Sequence, residues 1–290
     1  VLDWLTDYDF LLEALIVAVM IGISAPLIGV FAVTRRVAHI SGALSHMTLA
    51  GIALGAVVGD ILPLPTAVPP PVYGTLFAFA GAFLVEWLRD HFKGFADAAI
   101  PAVLSCGIGL GTVIFNIVDG YNNTFYNALF GNLLAATHGD VIMTVIATIM
   151  ALVFIIIFYH TILVTTFDRE LAKVNPQRYR LGNVLFTLVL SIVISVSVQV
   201  VGVMLVAGLM ILPAAASLVI AHSFKQLVLV SVITGETSVL LGSLLSLVID
   251  ISTGGAVIIS AAVILLFFIL YRHIRVNAKR GMLHGSPKGS

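Results

Sequence analysis

Five ionisable side chains lie inside long apolar stretches of this 290-residue chain: Glu13, His46, Glu86, His160 and Glu236. A charge in hydrocarbon is costly, so each needs a partner, a proton or water, and each marks a place where an ion could be handled. His46, in HISGALSHMTLAG, offers an imidazole, a ligand favoured by zinc and other borderline transition metals. It could equally hydrogen-bond a neighbouring helix. His39 falls on about the same helix face, nearer the membrane edge, where an interfacial role is expected. Glu236, in ITGETS, either lines a polar pathway or forms a protonated structural hydrogen bond. Glu13, near the end of the first apolar stretch, suits a solvated mouth or an ordinary interface. Glu86 stands three residues before Arg89, the spacing of a helix-surface ion pair, and His160 is expected at an interface.

Several chemistries have no residues to carry them. There is no G-x-x-x-x-G-K-[ST], and none of the five lysines is followed by Ser or Thr. HExxH, G-x-S-x-G and any cysteine pair are also missing, the single cysteine being Cys106. No enzymatic chemistry and no covalent cofactor are therefore expected of this chain, and any energy from ATP must come from a partner.

The elements that position these groups follow from composition. With 60% hydrophobic and 10% charged residues and a mean hydropathy of +1.14, the chain suits lipid rather than water. A span needs roughly 20 apolar residues. About eight or nine are expected, near 9–34, 40–62, 71–89, 97–118, 140–164, 181–200, 203–222, 227–249 and 255–271, the count falling to eight if 181–222 is one kinked helix. Gly202 and Pro213 are the candidate breaks in the uncharged run that begins at 181. Alternating the spans from an outside N-terminus puts all fourteen Lys and Arg residues on one side, as the excess of basic residues in cytoplasmic loops requires. Residues 1–8 hold two acids and no basic residue, so the first stretch is expected to remain as a helix. Residues 121–136 are too polar to face lipid and read as an outer loop with a short helix, while 168–180 read as a short cytoplasmic helix. Glycines at helix-contact spacing (Gly51/Gly55/Gly59, Gly107/Gly109/Gly111, Gly235/Gly242) predict close helix packing. The expected architecture is a single all-α polytopic transmembrane domain over 1–275, with a flexible cytoplasmic tail at 276–290.

Four stretches in order, RRVAHISGALSHMTLAGIALG, FDRELAKVN, QVVGVMLVAGLMILPAAAS and LSLVIDISTGGAVI, resemble the permease subunits of zinc/manganese-type ABC importers. The resemblance covers roughly residues 10–270. It implies a type II importer-like fold, a permease homodimer, two cytoplasmic ATPase subunits and an extracytoplasmic metal-binding protein. It also implies that PAAASLVIAHSFKQ couples to the ATPase, with Pro213, Ala214, Ala215, Ser217, His222, Ser223, Phe224 and Lys225 in that role. The outer loops 60–72, 119–139 and 250–255 would receive the delivery protein. One departure matters. Many members of the family carry Gly-Asp shortly before the second-helix His, where this chain has Ser41 and Gly42. Loss of the harder oxygen ligand tilts the remaining site toward zinc over manganese.

The function expected is thus the membrane subunit of an ATP-driven importer of a divalent transition metal, zinc first and manganese second, in a prokaryotic cell membrane. His46, Glu236 and Glu13 are its candidate metal or pathway residues. The alternatives are a metal-chelate or siderophore permease, and an ion-coupled secondary transporter using Glu236 and Glu13.

Overall fold

The computed structural model describes residues 9–61, 69–92, 98–117, 128–131, 133–167 and 176–284. Its helices are α1 (Asp9–Thr34), α2 (Ile40–Ile61), α3 (Pro70–His91), α4 (Ala99–Ile117), α5 (His138–Phe167), α6 (Pro176–Ile220), α7 (Phe224–Ile249) and α8 (Thr253–His284). A 3-10 turn, Leu133–Ala135, precedes α5. All eight helices are long and apolar enough to cross a membrane.

The sixth does so twice. Its 45 residues would extend about 68 Å if straight, against a hydrocarbon core of about 30 Å. Gly202 breaks it, with φ 79° and ψ 162°, a conformation open to a residue without Cβ. Phe31, in the last turn of α1, touches Phe186 in the first half of α6 and Phe224 just beyond the second, with ring centroids 6.4 and 5.3 Å apart. The halves, 176–201 and 203–220, therefore run in opposite directions, and the described helices make nine crossings. Pro213 stays inside the second half, where the backbone remains helical.

The contacts sort the charges by end. Arg35 meets Asn183 at one end, and His222 shares a cavity wall with Arg272 and Arg275. At the other end Gln199 meets Asp140, Glu13 meets His138, and Gly131 presses on Gly202. The described basic residues thus gather at one end, as alternation of the spans predicts.

Helix contacts follow the small residues. Gly51 lies against Tyr73, Gly107 against the backbone of His46 and Met47, Gly235 against Pro26 and Gly242 against Val257. Such residues let backbones approach where no hydrophobic force drives helices together. Gly59 and Gly109 instead face open space. α1 and α6 form the centre, with Ile21, Ile28 and Phe31 wholly buried beside Leu190, Ile194 and Met210. The outer faces of α5, α7 and α8 expose Ile156, Val248 and Phe267, a surface suited to lipid.

Local chemistry sets the ends. α1 closes with a Schellman motif: the Val37 amide donates to the Ala32 carbonyl at 2.9 Å and the Arg36 amide to that of Val33 at 3.0 Å. Arg36 takes the left-handed position, φ 60°, usually given to glycine. α5 begins with Thr137, whose hydroxyl and amide both donate to the Asp140 carboxylate. Residues 176–180 form the first turns of α6, whereas 168–175, the rest of the expected cytoplasmic helix, lie outside the described residues. α8 continues without a break to His284, into the stretch expected as a tail.

Candidate functional site

The three candidate pathway residues stand on three helices and do not converge. His46 is half-buried on α2, beside α4. A Cβ added at Gly107 would lie 3.2 Å from the His46 Cβ, so α4 passes directly beside it. The imidazole has no hydrogen-bond or ionic partner among the described residues. That leaves both ring nitrogens free for an ion or for a group from outside the protomer.

Glu236 sits midway along α7, over Gly22 of α1. A Cβ added at Gly22 would come 2.8 Å from Oε1, which is buried without a hydrogen-bond partner. The cause lies partly in α1. Pro26 has no N–H, so the Gly22 carbonyl loses its helical donor, and Gly235 packs against that same carbonyl. A carboxyl oxygen without a partner thus lies beside α1 in the turn where that helix has lost a hydrogen bond. A proton or a cation would satisfy that oxygen.

Glu13 lies at the far end of α1, nine residues or about 14 Å along the axis from Gly22. Its Oε1 is 3.3 Å from Nδ1 of His138, whose side chain is exposed. The neighbouring Asp140 accepts from Gln199 at 3.3 Å. Among the described residues this polar corner carries no Lys or Arg, which suits the approach of a cation. His138 was not singled out in the sequence, although Thr137-x-x-Asp140 ahead of an apolar run is a helix-start signature that places it. Among the described residues, no three His, Cys, Asp or Glu side chains could hold a metal together.

At the basic end Glu86 is joined to α6 through the Asn183 amide, a link that the sequence did not signal. Asn183 accepts from Arg35 at 2.9 Å, Arg35 also donates to Thr166 at 3.2 Å, and its guanidinium lies 4.4 Å over the Phe186 ring. Burial lowers Arg35 from its usual value to about 10, the nearby Glu86 charge acting against that shift. It remains a cation at neutral pH. The network ties α1, α3, α5 and α6 together.

The expected coupling residues divide in two. Pro213, Ala214 and Ser217 are buried inside α6, the Ser217 hydroxyl donating to the Ala214 carbonyl at 2.7 Å, and Ala215 is half-buried beside them. His222, Ser223 and Lys225 are exposed in the α6–α7 connection, where Ser223 caps α7 by accepting from the Gln226 amide. Phe224 turns inward onto Phe31 and Tyr159. Only the exposed set is open to a partner.

A family model described as the ABC 3 transport family matches residues 7–272. The chain is 28% identical over 287 residues to the manganese transport system membrane protein MntC of Listeria innocua, covering 99% of this chain and 98% of that one. It is 27% identical over 255 residues to the high-affinity zinc uptake system membrane protein ZnuB of Haemophilus influenzae, covering 88% and 95%. Among solved structures it matches PsaBC from Streptococcus pneumoniae in complex with Fab, with a TM-score of 0.80 and 27% identity, covering 92% of this chain and 93% of that one.

Proposed function

Because the chain belongs to the ABC 3 transport family, we propose that it is the membrane permease subunit of an ATP-driven importer of a divalent transition metal. The observation that carries this reading is His46, an unpartnered imidazole inside the second span. Relatives named for manganese and for zinc are almost equally similar, at 28% and 27%, so similarity does not choose the cargo. Ligand chemistry favours zinc: Gly42 stands where many relatives supply a carboxylate, and a borderline nitrogen ligand alone suits zinc better than manganese.

Among the described residues no three ligands gather in one protomer, so the ion would pass through weak sites in turn: Glu13 at the mouth, His46 within, and Glu236 at the α1–α7 crossing. A second permease copy would bring a second His46. An extracytoplasmic binding protein would load the ion at the end that holds Glu13, with the N-terminus outside. Cytoplasmic ATPase subunits would dock at His222, Ser223 and Lys225 and drive alternating access. Membership of an ABC family favours this over an ion-coupled carrier using Glu236 and Glu13.

The test is uptake of radioactive zinc and manganese by cells expressing the importer, with His46→Ala beside the parent. Zinc uptake is expected to fall at least about tenfold, the scale of losing one ligand interaction. Unchanged zinc uptake would remove His46 from the pathway, and manganese transport without zinc transport would reverse the proposed selectivity.

A further inference from the structure

A cavity of about 770 Å³ lies away from His46. It opens at the basic end, between the α1–α2 turn, the end of α3 and the start of α6. Arg35, Arg36 and Arg89 line it together with one carboxylate, Glu86. Arg35 and Glu86 are joined through Asn183. Arg36 and Arg89 have no acidic partner among the described residues, so two positive charges are left over.

The backbone points the same way. Arg36 holds the left-handed position of a Schellman motif, φ 60°, where glycine would be relaxed. Strain kept at such a position implies a use for the side chain. The deeper wall is apolar, with Val85, Phe186 and Leu190. On the adjoining face of α3, Phe83 and Trp87 are exposed, and aromatic side chains of this kind anchor at the membrane interface. Guanidiniums bind phosphate oxygens in pairs, and basic pockets between membrane helices on the cytoplasmic side take anionic headgroups.

We propose that this cavity is a phosphate-binding site held by Arg36 and Arg89, taking the headgroup phosphate of an anionic lipid or a soluble phosphate of the same chemistry. An acidic protein segment would use the two guanidiniums but leave the apolar depth unfilled.

The experiment follows thermal unfolding of the full chain in phosphatidylcholine nanodiscs, with phosphatidylglycerol or inorganic phosphate added. The parent is compared with the double variant Arg36→Gly, Arg89→Gln; glycine at position 36 relaxes the turn, so the variant folds. Stabilisation by phosphatidylglycerol alone supports a lipid headgroup, and an equal effect of inorganic phosphate supports a soluble anion. In either case the double variant should bind about 25-fold more weakly, roughly fivefold for each arginine. The proposal fails if neither additive stabilises the parent, or if the double variant keeps the full effect. It also fails if the variant instead loses a co-purifying ATP-binding subunit while the parent shows no phosphate effect; that result would assign the cavity to a protein segment.

Discussion

Arg35 holds more of the basic end together than any other single side chain described above. Arg35→Ala removes its bonds to Asn183 and Thr166 and its stacking on Phe186, and leaves Glu86 facing one cation fewer. The expected cost is about 2 kcal/mol, because the half-buried Asn183 and Thr166 lose a charged donor. It would be read as a lower midpoint of thermal unfolding in detergent. Arg35→Lys should recover only part of it, since an ammonium cannot reproduce the planar fork. The sequence showed the residue types but not this network: Glu86 stands in helical register with Arg89, whereas the residue bonded to it, Asn183, is 97 positions away. His46 and Glu236 were legible because a polar group in an apolar run is conspicuous at any fold. Which neighbour each would meet was not, because Gly107 and Gly22 acquire meaning only once the helices cross.

Among the elements, α6 is the most constrained, and its bend offers a sharp test. A Cβ at Gly202 would run into the backbone of residues 129–131, and φ 79° disfavours any L side chain. Gly202→Ala is expected to cost more than about 2 kcal/mol, measured by thermal unfolding of the purified chain. Gly109→Ala is the control: its site is open and helical, so stability should hold or rise by up to about 1 kcal/mol. The spans themselves were legible from hydropathy and from the spacing of Lys and Arg. The break was narrowed to Gly202 or Pro213, and only packing distinguished them. Proline can remain in a membrane helix when its neighbours absorb the lost hydrogen bond, while a residue at positive φ cannot continue one.

For the whole molecule, nine crossings among the described residues and the gathering of basic residues at one end support the proposed orientation, with the start of α1 outside and the end of α8 inside. In a Cys106→Ser background, Ser252→Cys is expected to react with an impermeant maleimide on intact cells. Ser223→Cys should react only in inverted vesicles, and the reverse pattern would overturn the proposed orientation. Both positions are exposed, at opposite ends of α7. The turn at Gly202 has a mechanical corollary. Helix–helix connections commonly hold about two to eight residues, enough to absorb small displacements in their own torsions. Here a single glycine joins the two arms of α6 and is wedged against Gly131. A shove on residues 128–131 therefore meets no slack. It would move the second arm as a unit whose other tip is the exposed His222–Lys225 connection, giving the proposed binding protein on one face of the membrane a lever on the proposed ATPase at the other.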